Sequence, residues 1–397
     1  MTHVTETNRE PEVIAEEMRR ALKAVFDGLS VGGSSPTEVS RALDLSRVMV
    51  SRTMGALKKP EPSEMLTSIP GPETIRSIVR ASRQGGVDEA QVVVALRAID
   101  EFDALIRGRY GTRSAFNAAL SGKNEQAREK FEQSSRYEVY KGMSQIVGAQ
   151  SKLWLTTMML VPNRENPSGI DIFTIHGTSG LRRLRPESPV RFVYGVPPEH
   201  VTLRQSPQRA EGALGSFFRY RPAPLSVHQE NGQIINTFEP DIAGKSALYD
   251  MFAEVSIPNG SNRYASNGRT MRGTTVIPDI PVITLVSDVI LCDDVFAGIK
   301  PELFIYNTMP RGGADIEDPK RDVDRIRTDD RIVDLGIGGA NLGITEFPKY
   351  TRMIEYLCKK TGRPISSIRT HRVQVQYPVY GFQYTIAFRV PEKPADA

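Results

Sequence analysis

Residues 34–59 read SSPTEVSRALDLSRVMVSRTMGALKK. Ser35 has the side-chain oxygen that a helix start needs, Pro36 suits the first helical position, and Glu38 completes an S-x-x-E capping box. Val39, Ala42 and Leu43 form the inner face of a short helix over 36–43. Leu45 sits in the turn, and Ser46 caps a second helix over 47–58. That second helix places Val50, Met54 and Leu57 on one face, at i, i+4 and i+7. Its opposite face carries Arg47, Ser51 and Arg52, with Val48 and Met49 near its start.

A helix with small polar and basic residues outward fits the major groove of DNA, which is about 12 Å wide. Arg47 and Arg52 suit guanine edges or phosphates; Ser46 and Ser51 suit phosphates. From Arg41 to Lys59 there are five basic residues (Arg41, Arg47, Arg52, Lys58, Lys59) and one acidic residue, Asp44. Positive charge is therefore concentrated where a phosphate backbone would lie. The expected contacts to double-stranded DNA are Thr37, Ser46, Arg47, Val48, Met49, Ser51, Arg52, Lys58 and Lys59.

The run TEVSRALDLSRVMVSRTMGAL, Thr37 to Leu57, resembles the helix-turn-helix of bacterial repressors. The helical pattern in front of it runs from Val13 to Leu29, with Ile14, Met18, Ala21, Leu22, Val25 and Phe26 at three- and four-residue spacing. Together they are similar to the winged-helix arrangement of the MarR and IclR families. The resemblance, confined to residues 11–60, implies a recognition helix over 47–58 and a β-wing after Lys59. Asp44 stands where the turn often has glycine. The following segment, PEPSEMLTSIPGP, carries prolines that argue against regular strands.

The chain has 397 residues, enough for two or three domains. With 39% hydrophobic and 25% charged residues it has the balance of a globular protein. A net charge of +4 accommodates an anionic partner without requiring one. Cys292 and Cys358, each in an apolar run, make neither a disulfide framework nor a zinc site. The polar start MTHVTETNREPE has no apolar core of a secretory signal. No apolar run approaches the roughly 20 residues that span a bilayer. These features predict a cytoplasmic protein with no membrane partner.

Composition predicts an α+β multidomain chain. A disordered tail covers 1–12, a winged-helix-like DNA-binding domain 13–84, and a helical linker and dimerisation region 85–152. An α+β sensor or interaction domain with a mixed or antiparallel sheet covers 153–390, and a loose tail 391–397. Strand signals begin near Leu153, in LWLTTMMLVP, GIDIFTIHG, PVRFVYGV, GQIINTFEP, IPVITLVSDVIL and ELFIYNTM. A helix over 348–361 precedes two strands, HRVQVQYPVYG and FQYTIAFRV, expected to pair as a hairpin around Tyr380 and Gly381. Tyr350, Tyr356, Tyr377, Tyr380, Phe382 and Tyr384 line a core or a pocket there. Two DNA half-sites about 34–36 Å apart call for two recognition helices, hence a homodimer. Helices 87–110 and 134–150 are its candidate interface, and a small-molecule effector is the candidate ligand of the C-terminal domain.

No enzyme is expected, and no cofactor or metal. The loop DLGIGGANLG, Asp334–Gly343, nevertheless resembles the first motif of S-adenosylmethionine-dependent methyltransferases, with Gly336, Gly338 and Gly339 as candidate cofactor contacts. An S-adenosylmethionine- or nucleotide-binding enzyme with an accessory helix-turn-helix is thus a second reading, and a non-enzymatic adaptor a third. IAGKS, Ile242–Ser246, echoes a P-loop, but Glu239 stands where its first glycine belongs. His3, His176, His200, His228 and His371 are scattered, without H-x-x-H spacing. Ser179 in HGTSG lacks a nucleophile elbow. Asp293 and Asp294 end an apolar strand. RGRYGTR (107–113) suits a phosphate backbone or a solvated loop, LRRLRPESPVR (181–191) rather a solvated loop, and DIEDPKRDVDRIRTDDR an exposed, salt-bridged surface or a mobile loop.

Overall fold

A computed structural model of the protein describes residues 10–31, 35–121, 125–185, 190–194, 214–230, 233–239 and 247–394. The chain divides into two compact units, Met1–Ser134 and Ser135–Ala397.

The first unit is helical. It contains α1 (Pro11–Asp27), α2 (Pro36–Ala42), α3 (Arg47–Leu57), α4 (Pro62–Ser68), α5 (Pro72–Ser82), α6 (Glu89–Leu105), a π-helical turn over Ile106–Tyr110, α7 (Arg113–Ser121) and the start of α8 (Glu125–Val147). Pro11, Pro36, Pro62 and Pro72 each open a helix. The first turn has no intrahelical use for the N–H that proline lacks, and proline's fixed φ is already helical. That is why the proline-rich connection expected after Lys59 contains a whole helix, α4. No β-wing follows α3, and no strand occurs among the described residues before Ala149.

One core holds these helices together. Ile14, Met18 and Leu22 of α1, Met65 and Leu66 of α4, and Ile75, Ile78 and Val79 of α5 are buried with Val92, Ile99 and Phe102 of α6 and Phe116 of α7. The division expected at residues 84 and 85 is therefore not a boundary. α6 closes the N-terminal core, and the region expected as a linker over 85–152 is divided at Ser134.

The second unit opens with the rest of α8 and continues as β1 (Ala149–Pro162), β2 (Gly169–Arg183), β3 (Val190–Tyr194), β4 (Arg221–Pro222), β5 (Leu225–Glu230), β6 (Gln233–Phe238), β7 (Tyr249–Asn262), β8 (Met271–Val276), β9 (Val282–Leu291), β10 (Glu302–Asn307), β11 (Ile332–Ile337), α9 (Tyr350–Thr361), β12 (Arg369–Gln376) and β13 (Phe382–Arg389). Among the described residues seven strands form a mixed sheet in the order β11-β12-β9-β1-β2-β7-β4. β1 pairs with β2 antiparallel and with β9 parallel, Leu155 meeting Gly177 on one side and Val286 on the other. Strand alternation sorts the side chains. Leu153, Leu155, Met159, Val286 and Ile290 share a core with Tyr350, Met353, Ile354 and Leu357 of α9. Trp154, Leu160, Leu285 and Val289 pack with Val276, Ile305, Ile386 and Phe388, from the second sheet β10-β13-β8.

The α+β architecture thus stands, but the expected hairpin does not. β12 pairs with β9 and β11, whereas β13 pairs with β10 and β8. Between them the chain leaves one sheet for the other, through left-handed residues at Tyr377 (φ 51°) and Gly381 (φ 75°). Tyr350 and Tyr384 are core residues, and Tyr377 packs edge-on against Tyr137 of α8 at 5.1 Å. Among the described residues no helix is long and apolar enough to cross a membrane.

Candidate nucleic-acid interface

The start of α2 is built as its sequence predicts. Glu38 N–H donates to Ser35 Oγ at 3.4 Å, and Ser35 N–H donates to Glu38 Oε2 at 2.9 Å. The Ser35 N–H bond foremost, and a second bond donated by the Ser35 hydroxyl at 3.0 Å, hold the Glu38 carboxyl below its ordinary value. Between α2 and α3 the chain turns through Leu43–Ser46. Asp44 adopts φ 50°, the left-handed conformation for which glycine is the usual choice. Aspartate tolerates it better than most side chains. Ser40 clamps the turn: its hydroxyl donates to Leu45 O at 2.7 Å, and Leu45 N–H donates to Ser40 O at 3.0 Å.

α3 presents a different inner face from the one expected. Val50, Thr53 and Ala56 are buried, while Met54 and Leu57 are only half-buried. The threonine is compatible with the core because its hydroxyl donates to Met49 O at 3.0 Å, leaving the methyl to pack. The helix is therefore rotated toward Thr53, which turns Met49 partly inward. Ser46 occupies the N-cap position but makes no side-chain cap bond.

The outer strip carries Arg47, Val48, Ser51, Arg52 and Lys58, all exposed, together with Thr37 from α2. Among the described residues Arg47, Arg52 and Lys58 have no ion-pair or hydrogen-bond partner. No acidic residue lies in the first turn of α3, so nothing offsets the positive end of its backbone dipole. Val48 is 67% exposed in the middle of this polar strip. Lys59 is engaged: its Nζ lies 3.9 Å from Glu64, and its carbonyl accepts from Arg19 Nη1. Of the expected contact set, then, Arg47, Val48, Ser51 and Arg52 lie together outward, Thr37, Ser46 and Lys58 flank them, and Met49 and Lys59 are partly withdrawn.

Sequence reasoning missed a cavity of about 290 Å³ beside this helix. Arg52, Lys59, Thr67, Asn117 and Phe131 are among its lining residues, and they come from α3, α4, α7, α8 and the residues just after α3. They are too far apart in sequence for spacing to reveal them. Of the stretch 107–113, expected at a phosphate backbone, Arg107 pairs with Asp103 at 2.9 Å, and Arg113 lies inside over the rings of Phe102 and Phe116.

The glycine-rich loop of the second unit has a different geometry from a nucleotide-binding turn. β11 is an antiparallel edge strand, and the next helix, α9, begins seven residues beyond Gly343. Gly336 and Gly338 take φ 78° and 90°. Their N–H groups donate to Asp334 Oδ1 and Ile368 O, both at 2.9 Å. A Cβ on Gly339 would meet the Ile365 side chain at 2.8 Å. Arg372 fixes the loop from below, donating to Leu342 O at 2.8 Å and Gly343 O at 3.1 Å. The N–H groups of Gly336 and Gly338 are thus engaged within the protein, and α9 does not start from this turn.

Other expected positions resolve simply. Among the described residues no cluster of His, Cys, Asp and Glu is suited to a metal ion. Cys292 and Cys358 are free buried thiols, pushed up to about 12 and about 11 by burial. Asp293 and Asp294 pair with Arg363 and Arg263. Ser179 is buried, and its carbonyl accepts from Ser151 Oγ. Asp315, Glu317 and Asp324 form the expected salt-bridged surface with Arg269, Arg311 and Arg321. Ile242–Ser246, His3 and His200 lie outside the described residues. No protein-family model matches the chain, and neither a curated protein nor a solved structure is detectably similar to it.

Proposed function

We propose that the chain is a DNA-binding transcriptional regulator whose recognition helix is α3. One observation carries this reading. Arg47, Val48, Ser51 and Arg52 form a continuous exposed strip whose cations have no protein partner among the described residues. Two guanidinium groups with free donor forks suit guanine edges or phosphates, serines suit phosphates, and an exposed valine suits a thymine methyl. The left-handed turn at Asp44 brings α3 against α2 without glycine, in keeping with the bacterial repressor pattern that the sequence resembles. A β-wing forms no part of the proposal.

Binding to paired half-sites supports a homodimer. A shallow groove between α1 and α6 suits a second copy: Glu17 and Arg20 face Arg97 and Glu101 across it, and Val94, 58% exposed, lines it. Such a wall of both signs is its own complement under a two-fold axis. The β-rich unit is assigned the sensing or partner-binding role.

The double variant Arg47→Ala, Arg52→Ala is expected to lose retention on duplex DNA at fixed salt while keeping its melting temperature. The slope of log affinity against log salt falls by about two phosphate contacts' worth. Wild-type affinity in the double variant would overturn the assignment.

A further inference from the structure

The cavity beside α3 lies wholly within the first unit, and its volume of about 290 Å³ is at the lower edge of small-molecule sites, roughly 300–1,000 Å³. Its walls are charged unevenly. Arg52 lacks an ion-pair partner among the described residues, and Lys59 has only the long contact of 3.9 Å to Glu64. Glu64 is the one carboxylate among the described lining residues. Four residues before Asn117 on α7, Arg113 does not line the cavity but lies close enough to feel the charge of Arg52. Its Nη2 donates to the carbonyls of Leu66 and Ile69, and its Nη1 is buried with no partner. Burial, followed by the charge of Arg52, pushes the Arg113 guanidinium down to about 10. Two guanidinium groups thus feel each other's charge, and an anion would relieve that repulsion.

The second observation is neutral. Asn117 lines the same cavity, and its Oδ1 is buried without a hydrogen-bond partner. A buried carboxamide oxygen in that state accepts readily from a ligand hydroxyl. Phe131 supplies an apolar wall. A cationic pair, an idle acceptor and an aromatic face together select an oxyanion that also carries an O–H.

We propose that this cavity binds a phosphate-type oxyanion, held by Arg52 and Lys59, with Asn117 accepting from its hydroxyl. The group is inorganic phosphate or a free phosphate monoester, because a backbone phosphodiester of DNA has no O–H to give Asn117. The regulatory consequence rests on the DNA-binding reading of α3, because Arg52 belongs to both surfaces: a free anion that occupies Arg52 withdraws it from DNA.

The test titrates inorganic phosphate into the full chain at constant ionic strength, with binding followed by calorimetry. Saturable binding that chloride does not reproduce is expected. Asn117→Leu and Arg52→Met should each weaken it by about tenfold or more, with melting curves close to wild type. Arg52 is exposed, so its variant reports even if Asn117→Leu fails to fold. Absence of saturable binding, or undiminished binding in Arg52→Met, overturns the proposal. Retention on duplex DNA then tests the regulatory consequence. Asn117→Leu should bind DNA as wild type does but no longer be displaced by added phosphate. Weakened DNA binding by Asn117→Leu, or displacement equal to that of wild type, would overturn the assignment to a free phosphate. Saturable phosphate binding by a chain that retains no DNA would uphold the cavity and remove the DNA reading.

Discussion

Asp288 of β9 is fully buried, and both its oxygens are occupied. Arg372 donates to Oδ1 through Nε and to Oδ2 through Nη2, each at 2.8 Å, and Tyr350 Oη donates to Oδ2 at 2.6 Å. The same guanidinium holds the carbonyls of Leu342 and Gly343, so one ion pair ties β9, β12, α9 and the glycine-rich loop together. Removing one partner leaves the other charged and dry, at a cost of about 3–5 kcal/mol. Asp288→Ala is therefore expected to lower the urea midpoint sharply, and a loss of unfolding free energy below about 1 kcal/mol would contradict this account. Burial also pushes the His176 imidazole down to about 4. Its folded value lies below that of the unfolded chain, about 6.5, so the unfolded state takes up the proton first. The stability it contributes is present above pH 6.5 and is lost as pH falls toward 4. The His176→Gln variant should show a shallower decline in urea midpoint from pH 7 to pH 5 than wild type; an equal decline would rule His176 out as a source of the slope.

The turn between α2 and α3 and the face α3 buries were unequally legible. Ser35, Pro36 and Glu38 fixed the start of α2, because a capping box is written in three neighbouring residues. The face of α3 was not fixed in this way. Met54 and Leu57 outrank Thr53 and Ala56 in hydrophobicity, yet the smaller pair is inside, where α3 packs against α2, α4 and α5. Only the tertiary packing decides that rotation. Asp44 was visible as a departure from glycine, but its left-handed φ was not. Asp44→Val should destabilise the first unit by about 1–2 kcal/mol, since a β-branched side chain is strained there, whereas Asp44→Gly should be near neutral in thermal melts. On α6, Val94→Glu should yield monomers by light scattering if the α1–α6 groove is the self-association face; an unchanged dimer would move that interface elsewhere.

The two units have separate hydrophobic cores, one confined to the N-terminal helices and the others to the β-rich part. Independent cores predict independent unfolding. Phe102→Ala removes a fully buried ring at about 3–5 kcal/mol, and should shift one calorimetric transition while leaving the other in place. A single transition that moves as a whole would show the units to be coupled. The helices and most strands could be read from periodicity, because that signal is local. The strand order could not, since it depends on which edges meet, and the wrong hairpin between β12 and β13 shows the cost of assuming that neighbours in sequence pair. Nor could the cavity at Arg52, whose walls come from segments separated by up to eighty residues.

The placement of β9 also bears on how the protein is made. It sits between β1 and β12, so the middle of the sheet needs segments from 149–162, 282–291 and 369–376 at once. The third of these leaves the ribosome about two hundred residues after the first. The N-terminal helices, whose contacts are closer in sequence, can settle during synthesis, while β1 and β2 wait as an unfinished sheet with an open flank. The window between those events is when a chaperone would matter most to this chain, and when truncated products would be most prone to stick together.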